Sequence, residues 1–114
     1  MEKKSIREFQ EFPEGRFTKR LLFKEEGHVV FLLNFGPGQQ LPTHKHPGAD
    51  VYILQLEGEG AVTVNGTASD LGSGEVVRVT GDEEFSYTSG ANGNSTLYVT
   101  LINIPAPNYA ENIG

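Results

Sequence analysis

The stretch PTHKHPGADVYILQLEGEG, Pro42 to Gly60, sets two imidazoles one residue apart at His44 and His46, then runs into an apolar segment that ends in a glycine turn. In an extended chain, side chains at i and i+2 point to the same face about 6.6 Å apart along the strand, so both rings can reach one cation between them. Imidazole suits Zn, Fe, Ni, Cu and Mn, but a site that holds its metal firmly recruits a third donor and often a fourth. Pro42 and Pro47-Gly48 flank the pair, which leaves a second reading open, that of polar decoration on an exposed loop. Other chemistry has less support. The segment GPGQQ lacks the lysine and the helix of a phosphate-binding loop, and no nucleophile-elbow pattern surrounds a serine. The carboxylates paired at Glu25-Glu26, Glu57 with Glu59, and Asp82 to Glu84 fall in turns, where acidic residues ordinarily face solvent. Without cysteine there is no disulfide, thiolate metal site or sulfur nucleophile, which suits a reducing compartment.

The elements that must position the histidines are strands. Turn residues recur at short intervals, as GPG at 36 to 38, EGEG at 57 to 60, NG at 65 to 66, GSG at 72 to 74 and SGANGN at 89 to 94. Between turns lie Phe17 to Phe23, His28 to Phe35, Val51 to Glu57, Gly60 to Val64, Thr67 to Leu71, Glu75 to Val79, Phe85 to Thr88 and Ser95 to Ile104, all short and rich in β-branched or aromatic residues. Asn65-Gly66 accepts the positive φ of a type I′ turn at least cost and makes Ala61 to Leu71 a hairpin. His28 to Phe35 and Leu97 to Ile104 are apolar on both alternating faces, so they need cover twice: a closed sandwich or barrel inside, and a second subunit outside. A homodimer is the expectation.

The 114 residues fit one domain with one core, preceded by an N-terminal arm over 1–16 and followed by a tail over 105–114, read as a surface strap or disordered. Fifteen acidic against nine basic side chains give a net charge of -6, which repels phosphate backbones and argues against a nucleic-acid partner. The N-terminus MEKKSIREFQEF carries no apolar run, and the longest such run, Val29 to Leu33, is far too short to cross a bilayer. No membrane partner is expected, and the cytoplasm is the expected compartment.

Two motifs carry a resemblance to small single-domain cupins. The first, Gly, five residues, His-x-His, three or four residues, Glu, six residues, Gly, is similar to GQQLPTHKHPGADVYILQLEG from Gly38 to Gly58, with both glycines and both histidines in place. The second, Gly, five residues, Pro-x-Gly, two residues, His, three residues, Asn, resembles GEVVRVTGDEEFSYTS from Gly74 to Ser89 in outline only. Thr80, Asp82, Phe85 and Ser89 stand for Pro, Gly, His and Asn. The resemblance covers about Gly36 to Leu101 and implies an all-β double-stranded β-helix, a jelly-roll barrel.

That resemblance implies a three-His, one-Glu metal site of which His44 and His46 remain. Counting back from Gly58 puts Val51 in the glutamate slot; counting forward from His46 puts Asp50 there, and a one-residue bulge would turn Asp50 inward as a third donor. Glu83, by sharing parity with Phe85, and His28, at the start of its strand, are further candidate donors. Val51 and Phe85, with Gln55 and Tyr87 as polar tips on the same faces, would line an interior pocket for a flat or apolar small molecule. The expected function is a small-molecule binder with a partial divalent-metal site (Zn, Fe, Ni or Mn). The alternatives are a metal-dependent oxygenase or isomerase acting on a small organic acid or phenol, and a non-catalytic structural or regulatory dimer. No catalytic residue is assigned, and a cavity too small for a ligand would favour the last.

Overall fold

Alternation along one strand shows how the barrel is built. In the computed structural model, which describes residues 1–104, strand β2 (His28–Phe35) sends Val29, Phe31, Leu33 and Phe35 into the main apolar cluster. Its opposite row, Val30, Leu32 and Asn34, faces outward. The other strands are β1 (Thr18–Glu25), β3 (Gln40–His44), β4 (Asp50–Glu57), β5 (Gly60–Val64), β6 (Thr67–Leu71), β7 (Val76–Thr80), β8 (Phe85–Ser89) and β9 (Ser95–Ile102). They form two antiparallel sheets, ordered β1-β2-β9-β4-β7 and β3-β8-β5-β6. Inward rows from both sheets meet in one core: Val51 and Ile53 of β4, Leu97, Val99 and Leu101 of β9, Val62 of β5, and Phe85 and Tyr87 of β8. This is the expected jelly-roll barrel, with the hairpin of β5 and β6 turning on Asn65 (φ 47) and Gly66 (φ 82). The tail at 105–114 lies outside the described residues.

Two elements differ from the sequence reading. Gln40 to His44, outside the strands read from the sequence, pairs with β8 as β3, although its pattern is mostly exposed and carries a proline. An edge strand tolerates both, because its outer N–H groups need no partner. The outer face of β2 also finds part of its cover within its own chain. Residues 4–11, with one 3-10 turn at Ile6–Phe9, lie across it. Asn34 Nδ2 donates to the Phe9 carbonyl at 2.8 Å, Gln10 Nε2 to Thr96 Oγ1 at 3.1 Å, and Lys4 Nζ to the Leu22 carbonyl. Leu32, Asn34 and Thr96 are fully buried as a result. The arm therefore does over this patch what a second subunit was expected to do. Tyr52 and Val76 on the same sheet, and Leu21 on its edge strand, stay exposed.

Candidate functional site

His44 closes β3 and His46 follows it, held by a turn. Ala49 N donates to the His46 carbonyl at 2.9 Å, with Pro47 and Gly48 (φ 86) at the central positions, the residues a type II turn favours. Gly81 packs against this turn, with no room for a side chain between it and the carbonyls of His46 and Ala49. The turn folds His46 inward until it is 3% exposed, while His44 is half-buried at the barrel mouth. Their ring centres lie 4.7 Å apart, and Phe85, opposite His44 in the β3–β8 pairing, sits 4.6 Å from the ring of His44 and 5.5 Å from that of His46.

The two imidazoles differ electrostatically. His44 Nδ1 lies 2.7 Å from the Pro42 carbonyl. A carbonyl only accepts, so Nδ1 carries the proton, and in the neutral ring Nε2 keeps its lone pair. That Nε2 is buried and has no hydrogen-bond partner among the described residues. Burial first, then the neighbouring His44 and Lys19, lower the His46 pKa from 6.5 to about 4. Lys19 reaches the same region from β1, its Nζ 5.0 Å from the ring centre of Phe31. Sequence reasoning named neither Lys19, Phe31 nor the Pro42 carbonyl, because their relation to the pair comes from chain folding and from no local spacing.

The expected third donor does not join the pair. No bulge occurs at the start of β4: Asp50 to Leu54 pair with β7 without a break, and the irregularity falls between Gln55 and Glu57. Asp50 therefore takes the outer face, where its carboxylate accepts from Arg78 at 3.4 Å and from Asn103 Nδ2 at 3.1 Å. Glu83 Oε1 accepts from Thr80 N and Thr80 Oγ1, both at 2.9 Å, and so closes the 80–83 turn. His28 is exposed beside the β1–β2 turn. Among the described residues no three His, Cys, Asp or Glu side chains come within reach of one metal ion.

The expected pocket residues do gather inside, but they fill the space. Val51, Phe85 and Tyr87 line the interior with His44, His46 and Phe31, and the cavity left among them is about 10 Å³, the least that a single water needs. Gln55 lies deeper, fully buried, and the polar tips expected to greet a ligand satisfy each other. Tyr87 Oη donates to Gln55 Oε1 at 2.7 Å, and Gln55 Nε2 donates to the Glu57 carbonyl at 2.8 Å. The core has no room for a molecule larger than water, the condition under which the sequence reading favours a non-catalytic structural or regulatory protein.

The comparisons agree with this architecture. The cupin-domain family profile matches residues 31–102. The dimethylsulfoniopropionate lyase DddW of Ruegeria pomeroyi is 37% identical over 70 residues, which is 61% of this chain and 45% of that protein, so the chain spans less than half the length of this curated relative. Among solved structures, a Thermus thermophilus protein superposes with a TM-score of 0.85 at 24% identity, over 92% of this chain and 100% of its own. An RmlC-like cupin from Desulfovibrio desulfuricans superposes with a TM-score of 0.81 at 24% identity, over 90% and 97%. At that identity the structural likeness speaks for the fold alone. With its two antiparallel sheets, its His-x-His at the barrel mouth and a family match over most of its length, this chain belongs to the cupin-domain family.

Proposed function

We propose that this cupin is a binding module whose reactive feature is the His44–His46 pair, where one divalent transition metal (Zn, Fe, Ni or Mn) is taken by two imidazoles and completed by water or by the oxygen atoms of a small ligand. The observation that carries the reading is the buried Nε2 of His44, its lone pair fixed by the Pro42 carbonyl and its hydrogen-bonding capacity unused among the described residues. A buried acceptor left so costs about 1–3 kcal/mol, and a bound cation would remove that cost. The donor set fits such an ion at two corners only, which favours weak, exchangeable binding over a retained centre. When bound, the metal would supply Lewis acidity to an oxygen ligand. The chain itself orients His44 through Pro42, keeps His46 neutral at physiological pH by burial, and shields both rings with Phe85.

Calorimetric titration of tag-free, chelator-stripped protein with Zn²⁺ tests this. One ion per chain is expected to bind at micromolar concentrations, with His44→Ala losing roughly tenfold or more in affinity. A parent protein that takes up no metal at millimolar concentrations would falsify the reading.

The DddW match favours a second reading, a metal-dependent lyase working at the same mouth. Metal-loaded protein incubated with dimethylsulfoniopropionate, followed by proton NMR, separates the two. The binding-module reading expects the compound to persist, and its loss above the rate in a His44→Ala control would establish the lyase.

A further inference from the structure

Two Asn-Gly dipeptides occur in this chain, Asn65-Gly66 and Asn92-Gly93, and the fold treats them differently. In such a pair the main-chain nitrogen of the glycine can attack the side-chain carbonyl carbon of the asparagine before it, because no Cβ on the glycine crowds the approach. We infer that Asn92 is a site of spontaneous covalent modification in the folded protein, converted by water to aspartate and isoaspartate, and that folding shields Asn65 from the same reaction.

Asn92 lies in the connection from β8 to β9, where residues 91–94 are all exposed. Among the described residues neither its side chain nor the Gly93 N–H makes a hydrogen bond, and the space around Gly93 is open. The side chain can therefore swing over that nitrogen, and water can follow. The Gly93 nitrogen, giving its proton to solvent, forms a bond to Asn92 Cγ; the Cγ–Nδ2 bond breaks, and Nδ2 takes up a proton and leaves as ammonia. The cyclic imide then adds one water at either carbonyl. Aspartate results when the new bond to nitrogen breaks, isoaspartate when the original peptide bond breaks, and no electron donor or acceptor is needed. Asn65 is held away from this path. It sits at φ 47 in the β5–β6 turn, its N–H donates to the Glu84 carbonyl at 2.8 Å, and its Oδ1 accepts from Glu84 N at 2.9 Å. Cyclisation there must break the Oδ1 bond and twist a turn closed by the Val64–Thr67 pair.

The connection that holds Asn92 is anchored on both sides of the reacting bond. Gly90 N donates to the Glu59 carbonyl at 2.9 Å, the Gly90 carbonyl accepts from Gly38 N at 3.1 Å, and Ser95 Oγ donates to the same Glu59 carbonyl at 2.8 Å. The main-chain atom that isoaspartate adds is taken up between these anchors, so the strands keep their register. What changes is charge: a new carboxylate joins Glu59 along a groove of about 440 Å³. This groove lies at the end of the barrel away from the histidines, since β8 runs from Phe85 beside His44 to Ser89. Nothing in the reaction depends on a metal at His44 and His46.

The test incubates freshly purified protein at mildly alkaline pH, folded and in denaturing guanidinium chloride. Trypsin separates the two sites, because no Lys or Arg lies between Lys45 and Arg78 or beyond Arg78, and electron-transfer fragmentation in tandem mass spectrometry locates each conversion. In the folded protein Asn92 is expected to convert at least roughly tenfold faster than Asn65, and in denaturant the two rates should come together. Gly93→Ala, at a position with open space and no positive φ, should slow the reaction at Asn92 while circular dichroism stays parental. Converted parent protein should keep its thermal midpoint. Equal rates in the folded protein, a difference that persists in denaturant, or an Asn92 that stays intact in the folded protein while the unfolded chain converts would each overturn the inference. A lowered midpoint after conversion would overturn the containment of the change between Gly90 and Ser95.

Discussion

Gly81→Ala is expected to cost about 3 kcal/mol, the upper end of what overpacking usually does, and to displace the histidine pair along with it. Gly81 is buried against the 46–49 turn, and an added Cβ would press on the His46 carbonyl oxygen while standing 2.5 Å from the Ala49 carbonyl oxygen and 2.9 Å from the Ala49 nitrogen. These are backbone atoms tied to each other by the Ala49 N to His46 carbonyl hydrogen bond, so none of them can swing aside as a side chain would. Either the turn opens, moving His46, or the β7–β8 connection shifts, moving Phe85. The thermal midpoint should fall by about 10–20 °C for a domain of this size. In proton NMR the ring-current shifts that Phe85 imposes on both imidazoles should change. A variant with a parental midpoint and parental imidazole shifts would show that the turn is not wedged against Gly81.

Acidification should weaken the metal-free protein by up to about 3 kcal/mol beyond what its carboxylates contribute, all of it traceable to one imidazole. The unfolded His46 takes up its proton near pH 6.5, the folded one only near pH 4, because burial and the charges of His44 and Lys19 oppose the cation. Below pH 6.5 the unfolded state therefore binds more protons than the folded state, and stability falls as pH falls. The contribution is fully present above pH 6.5, is lost through the interval down to about pH 4, and levels off below that. Denaturant midpoints of the parent and of His46→Leu, measured across this window, should show the parent losing stability relative to the variant as pH falls from 6.5 to about 4. Parallel curves would mean that His46 titrates as an ordinary exposed histidine.

Much of the barrel was legible because its signals are local. Asn65-Gly66 announced its hairpin, and the two-sided apolarity of His28 to Phe35 announced a strand covered on both faces, with limits that coincide with β2. β3 was not legible, since Leu41 is its one fully buried residue and Pro42 interrupts the pattern; what makes Gln40 to His44 a strand is its partner β8, which lies over forty residues further on. The site follows the same division. The pairing of His44 with His46 shows in their spacing. The fate of Asp50 does not, because a bulge at Asp50 and a bulge at Gln55/Glu57 are equally compatible with the local pattern, and the choice is made by ladders to β7 and β9. Likewise Gln55 and Tyr87 share inward faces in both accounts, but only the folded chain reveals that they bond each other and leave nothing for a guest.

The order of strands in the larger sheet bears on how the chain comes to exist at all. β9 sits between β2 and β4, in register with both, from His28 opposite Ile102 to Asp50 opposite that same residue. On a ribosome, β2 and β4 emerge long before the segment that must join them, and until it arrives each carries an unsatisfied edge of N–H and C=O groups beside exposed apolar side chains. Non-local closure of this kind is slow and leaves the nascent chain open to association with its neighbours. The hairpin of β5 and β6, closed by adjacent residues, can form during that interval; the sheet that anchors Asp50 and the core beneath the histidines must wait for its final strand.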